Sequence, residues 1–124
     1  MRFPYTALLL GLILLLMGAA YQSPAIPENW LEYYRTGSGF PPNVQWDLNQ
    51  IDANSIRRHE NFLRYRVRVL FFSGEAGEFQ EMQADCAART RGQFPDPRMN
   101  STYEGTLGGD EVKAACFIAS QKQL

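Results

Sequence analysis

The strongest pattern in the chain has a period of two. From Phe62 to Phe72 (FLRYRVRVLFF), Leu63, Tyr65, Val67, Val69 and Phe71 fall on one face and Arg64, Arg66 and Arg68 on the other. β-Branched and aromatic side chains dominate the run, which suits a half-buried strand. The next segment, Glu78 to Arg91 (EFQEMQADCAARTR), has helix-forming composition, with Glu81, Asp85 and Arg89 four residues apart. A hairpin fits it better. With Gly74 and Glu75 as a two-residue turn, Arg68 faces Glu81, Arg66 faces Gln83 and Arg64 faces Asp85. On the other face Val67 meets Met82, Tyr65 meets Ala84 and Leu63 meets Cys86. This register pairs the charges and buries Cys86, and a slip by one residue would undo both. The segment is therefore read as a strand.

Weaker patterns flank this hairpin. Residues 21–43 carry Pro24, Pro27, Pro41 and Pro42 with Gly37, Ser38 and Gly39, and read as an irregular lead-in. Within it Glu28 to Arg35 (ENWLEYYR) suits a short helix after Pro27. Trp30, Leu31, Tyr33 and Tyr34 would then pack on the domain or rest on membrane headgroups. The strand pattern begins at Val44. In "IDANSIRR", Asp52 and Ser55 read as turn-capping side chains between two core isoleucines, Ile51 and Ile56. Gly92 to Pro97 breaks the pattern, and Met99 to Thr106 suits another short strand around Tyr103. Gly108 and Gly109 stop it. Asp110 is then a plausible N-cap for a helix from Glu111 to about Gln121. Its apolar face holds Val112, Ala115, Cys116 and Ala119, with Phe117 and Ile118 at the margins. Residues 44–124 thus form an α+β domain: a small antiparallel sheet packed against a C-terminal helix.

The first twenty residues stand apart. Arg2 precedes an uncharged run, Thr6 to Ala20, ending in Gly18, Ala19 and Ala20. That is the order of a signal peptide: a positive start, an apolar stretch and small residues at a cleavage site. The run is short of the ~20 residues that span a bilayer as a helix, yet an uncleaved anchor to the inner membrane remains the alternative. Either way the remainder is expected to work outside the cytoplasm, in the periplasm or at the cell surface. About 104 residues then remain, enough for one modest domain. Charge adds little to this picture. The sequence carries 12 basic side chains, Arg2 among them, against 13 acidic ones. So balanced a surface has no general pull toward nucleic acid. Two cysteines, Cys86 and Cys116, read in an exported chain as one disulfide tying the helix to the strand that carries Cys86.

The order "IDANSIRR" (Ile51, Asp52, Ser55, Ile56, Arg57), then "RVRVLFF", then Asp85-Cys86 after a polar hairpin, then Cys116, resembles the surface-adhesin protein E-like family of small exported bacterial domains. The resemblance covers Trp46 to Gly92, with Cys116 and Tyr103 beyond it. It implies an antiparallel sheet against a helix, joined cysteines, a cell-envelope location and, as in the best-known members, binding of host matrix or plasma proteins. The chain departs from the family in lacking a Trp and a Pro-Gly-Ser stretch before its last cysteine. Since the shared positions are mostly scaffold, fold transfers more readily than function.

Catalytic chemistry finds little footing. His59, in the expected turn His59-Glu60-Asn61, has no nucleophile or ligand partner at suitable spacing. Glu75, Glu78, Glu81 and Asp85 lack the glycine-bent loop of a calcium site, and no phosphate-cradling glycine motif is present. No cofactor or metal is implied. The remaining cluster is basic: Arg57, Arg58, Arg64, Arg66 and Arg68. Its strand portion spans roughly 13 Å at alternate-residue spacing. It suits either contact with an acidic polysaccharide or acidic protein patch, or a solvated face balanced by Glu81 and Asp85. On the solvated reading Arg66→Leu is nearly neutral for folding, whereas Val67→Asp buries a charge and is severe. The expected function is non-enzymatic contact with an envelope or extracellular protein or glycan. A membrane-tethered structural or assembly factor is the first alternative, and an exported hydrolase a distant second.

Overall fold

The computed structural model describes residues 26–124, so the expected leader, residues 1–20, lies outside the described residues. Among the described residues seven strands form one antiparallel sheet: β1 (Trp30–Ser38), β2 (Gln45–Asp52), β3 (Arg57–His59), β4 (Phe62–Leu70), β5 (Gln80–Asp85), β6 (Thr90–Gln93) and β7 (Asn100–Ser101). Helix α1 (Leu107–Gln121) follows. The order across the sheet is β1-β2-β4-β5-β6-β7, with β3 beside β4. This is the α+β architecture that the sequence implies.

Within the lead-in, Trp30–Ser38 is a nine-residue strand, not a helix or an irregular stretch, and pairs with β2 from Trp30↔Asp52 to Ser38↔Gln45. Trp, Tyr and Thr fit a pleated surface better than a short helix, and β2 supplies the ladder partners that a sequence window cannot show. A bulge at Tyr33 shifts the register between Glu32 and Tyr34. The bulge reverses the alternation, so Glu32 and Arg35 share a face and form an ion pair.

The corner after β2 follows from two short polar side chains. Asp52 caps a 3₁₀ turn, Ala53–Ser55, by accepting from Asn54 N at 3.1 Å. Ser55 Oγ donates to Asp52 O at 2.7 Å and accepts from Arg66 N at 2.9 Å. The hydroxyl thus supplies a ladder partner to β4 where the chain has stepped aside. Beyond the corner β3 resumes beside β4, with Arg57↔Arg64 and His59↔Phe62. Glu60 closes that hairpin at φ 56°. Ile51 and Ile56, on either side of the corner, are fully buried.

Helix α1 covers the inner face of the sheet. Ile51, Ile56, Leu63, Tyr65, Val67, Met82 and Ala84 from the strands meet Val112, Ala115 and Ala119. Phe117 is not part of this face and lies 64% exposed. The helix starts earlier than the glycine pair suggests, with Thr106 rather than Asp110 as N-cap. Thr106 Oγ1 accepts from Gly109 N at 3.2 Å. Gly109 is there for space: a Cβ would lie 1.8 Å from Tyr103 O.

The β4–β5 register differs from the expected one by two residues. Arg66 faces Glu81, Arg64 faces Gln83, Tyr65 faces Met82 and Leu63 faces Ala84. The connection is longer than two residues: Phe71 N bonds Glu75 O at 2.8 Å and Gly77 N bonds Val69 O at 2.8 Å. A shift of two preserves side-chain parity, so inward and outward faces stand while every pairing moves. Strand β5 also ends sooner than expected. Asp85 Oδ1 accepts from Ala87 N and Ala88 N and turns the chain, and β6 begins at Thr90, inside the segment read as one strand, and runs to Gln93, two residues into the stretch read as a pattern break. Cys86 therefore sits exposed in the turn, neither opposite Leu63 nor buried. It still reaches Cys116 on α1, with a Cα–Cα separation of 5.9 Å and a sequence separation of 30. Closing a loop of that size contributes about 3–4 kcal/mol in the chain-entropy treatment. The last strand is only Asn100–Ser101, and Tyr103 lies outside it, exposed. Among the described residues no helix is long and apolar enough to cross a membrane.

Candidate anion-binding cleft

The outer face of β4 is not a simple solvated stripe. Each of its arginines has a polar partner and lies over an aromatic ring. Arg64 Nη2 donates to Glu81 Oε2 at 2.5 Å and its guanidinium lies 3.9 Å from the Phe94 ring centre. Arg66 Nη2 meets Asp52 Oδ2 at 2.5 Å, with Phe79 at 5.0 Å. Arg68 Nε donates to Gln50 Oε1 at 2.9 Å and stacks on Trp30 at 4.2 Å. Cation–π contacts of this kind add roughly 0.5–1 kcal/mol each at exposed sites.

The Asp52–Arg66 pair is the most enclosed of these. Asp52 has no exposed surface. Burial pushes its carboxyl upward, but hydrogen bonds from Asn29 N, Arg66 and Asn54 N, with the Arg66 charge, outweigh it and hold the pKa below the ordinary aspartate value. Removing Arg66 would leave that carboxylate buried without its cation, so Arg66→Leu is not the neutral change that a solvated stripe implies. Asp85, the other acid expected to balance the stripe, instead caps its own turn. Glu81 does pair with the stripe, through Arg64.

Arg57 and Arg58 differ from the stripe. They are exposed on β3. Arg57 Nη1 donates to Asn54 O at 3.1 Å and Ile56 O at 3.0 Å, and Arg58 Nη2 to the Leu124 main-chain oxygen at 2.9 Å. Among the described residues neither has a side-chain carboxylate within 4.0 Å. Together with Arg64, Arg66 and His59 they border an open cleft of 480 Å³ that also reaches Ile26 and Asn54 and includes one acid, Glu81, held by Arg64. Arg68 lies off this cleft, toward Trp30. The structure thus gathers four of the five expected arginines and separates the fifth. His59 meets the edge of Phe94 with ring centres 5.3 Å apart and stands beside cations, not beside a nucleophile.

A second polar cluster, on the inner face, escapes the sequence reading. Glu111 is 1% exposed on α1. Its Oε1 accepts from Tyr33 Oη at 3.1 Å and its Oε2 from Tyr65 Oη at 2.8 Å, with Arg91 Nε 3.7 Å away. Burial raises its pKa, and the Arg91 charge and the two tyrosine hydrogen bonds only partly offset that. Both tyrosines are pushed up in turn, first by burial and then by the neighbouring carboxylate. No buried polar side-chain atom among the described residues lacks a partner, so this cluster reads as an anchor for the helix. One signal was available: Glu111 precedes Ala115 and Ala119 at four-residue spacing, on the apolar stripe itself. Among the described residues no three His, Cys, Asp or Glu side chains gather as a metal site would require. No protein-family model, curated protein or solved structure matches the chain.

Proposed function

We propose that the chain is an exported, non-enzymatic binding domain of the cell envelope, of the surface-adhesin protein E-like kind, which meets an acidic protein or glycan at the β3–β4 cleft. The observation that carries this reading is the pair Arg57 and Arg58: exposed, adjacent, beside a 480 Å³ cleft, and free of side-chain carboxylates among the described residues. Planar guanidinium groups bind carboxylate, sulfate and phosphate through paired N–H donors. Arg64 and Arg66, held by Glu81 and Asp52, shape the floor instead of competing for the ligand. Export is supported by the leader pattern of residues 1–20 and by the Cys86–Cys116 disulfide, which persists in oxidising compartments. The test is an array of acidic polysaccharides and acidic envelope and matrix proteins, probed with the oxidised protein. Binding that weakens steeply with salt and is lost in Arg57→Gln/Arg58→Gln supports the reading. No ligand above a neutral-polymer control removes it.

The membrane-tethered reading has one observation in its favour: Ile26, the first described residue, lines this same cleft. A retained run at residues 6–20 would therefore deliver the cleft close to a bilayer.

A further inference from the structure

We infer that the β3 end of the domain is a membrane-docking face, where Arg57 and Arg58 bind the phosphates of anionic phospholipid headgroups. This rests on the reading of the β3–β4 cleft as an anion-contact site and gives that site a second occupant, the lipid phosphate.

Three observations lead there. The chain enters the domain at this end: Asn54 Nδ2 donates to Pro27 O at 2.7 Å, Asn29 N donates to Asp52, and Ile26 lines the cleft. Residues 21–25, the only ones between the apolar run and Ile26, reach at most about 18 Å when fully extended. A retained run thus keeps the cleft within about 18 Å of the headgroups, so that tipping of the domain brings it inside the single Debye length over which surface charge acts. Charge is also distributed along the sheet in the matching sense. The leader end holds Arg57, Arg58 and Lys122, the last on Ala53 O, against the exposed Glu28 and Glu60, with Arg58 also bonded to the Leu124 main-chain oxygen. The far end, at the β4–β5 loop and the start of β2, holds Glu75, Glu78 and Asp47, the last accepting from Phe72 N at 3.0 Å. An anionic bilayer therefore repels the far end more than the leader end.

The protein carries its own reporters. Trp30 opens β1 beside Asp52, at the leader end, and Trp46 sits across from Gly37, at the far end. Along β2 that separation is about 20 Å. The experiment reconstitutes full-length single-tryptophan chains, Trp46→Phe and Trp30→Phe, in phosphatidylcholine vesicles with and without phosphatidylglycerol. Headgroup-spin-labelled lipid is the quencher. Docking is expected to quench Trp30 more than Trp46, only when phosphatidylglycerol is present, with high salt abolishing the difference. Arg57→Gln and Arg58→Gln are each expected to lower the docked-to-undocked ratio about fivefold. Equal quenching of the two tryptophans in both lipids, or a difference insensitive to the arginines, overturns the inference. A parallel titration with inorganic phosphate and an acidic polysaccharide separates the two readings. Saturable polysaccharide binding without lipid docking leaves the proposed function standing and this inference refuted. Loss of both refutes both.

Discussion

The two faces of β4 bury charge in opposite ways. Inward, Leu63, Tyr65 and Val67 pack against α1, and the one acid admitted there, Glu111, is held by two tyrosine hydroxyls and a distant Arg91. Outward, Arg64, Arg66 and Arg68 are covered by Phe94, Phe79 and Trp30, and Asp52 is held at contact distance by a guanidinium and two main-chain N–H groups. The same physics gives opposite titration. Close donors and a close cation pull Asp52 down in spite of burial, whereas burial wins at Glu111. An arginine face is therefore not automatically a solvated one. Three of the five arginines are held by side-chain partners, whereas Arg57 and Arg58 bond only main-chain oxygens among the described residues and are the pair with donors left for a ligand.

The contrast can be broken at several points. Val67→Asp places an unpaired carboxylate under the helix and is expected to cost about 4 kcal/mol or more, read by urea denaturation. Cys86→Ser/Cys116→Ser is expected to cost about 3–4 kcal/mol, lowering Tm by well over ten degrees. Arg66→Leu should cost about 2 kcal/mol, discounted for the partial exposure of the arginine. In a double-mutant cycle with Asp52→Asn the losses should fall short of additive, because the second change removes the stranded charge. A solvated stripe would make Arg66→Leu neutral instead.

The pH profiles sharpen the same comparison with smaller effects. Because the Asp52 pKa is lowered, its contribution is present above the unfolded value of about 3.9 and disappears as pH falls through the folded one. Glu111 acts in the reverse sense. Its raised pKa favours the protonated form, so its contribution declines as pH rises from the unfolded value of about 4.3 to the folded one. Glu111→Gln should flatten that decline and Asp52→Asn the acid-side loss. Tyr33 and Tyr65 should add a further loss of stability above pH ~10, as the unfolded chain ionises first. Arg57→Gln and Arg58→Gln should each change stability by no more than about 0.5 kcal/mol, since both side chains are exposed.

What the sequence made legible was parity. Alternation in "FLRYRVRVLFF" placed Leu63, Tyr65 and Val67 inward and the arginines outward, and an even cysteine count foretold the bridge. The β4–β5 pairings were misplaced by two because the Phe71–Gly77 connection is stabilised by main-chain bonds that leave no residue signature. β1 was hidden for a similar reason: its ladder partner lies across a Gly-Pro-rich turn, and its bulge at Tyr33 destroys the period of two. The helix start was missed because Gly109 is required by the nearby Tyr103 carbonyl, a contact between segments and not a breaker signal. Of the cleft, the arginines were visible. Which of them were already engaged depended on Asp52, Gln50, Phe79, Phe94 and Trp30, brought from four other parts of the chain.

The division between built-in and available arginines is tested most directly by measuring Tm and salt-dependent retention on an immobilised acidic polysaccharide for two variants side by side. Arg57→Gln/Arg58→Gln is expected to keep the parent Tm and lose retention. Arg66→Leu is expected to lose Tm and, while folded, keep most of its retention. Retention that survives the first variant and vanishes with the second would contradict the account.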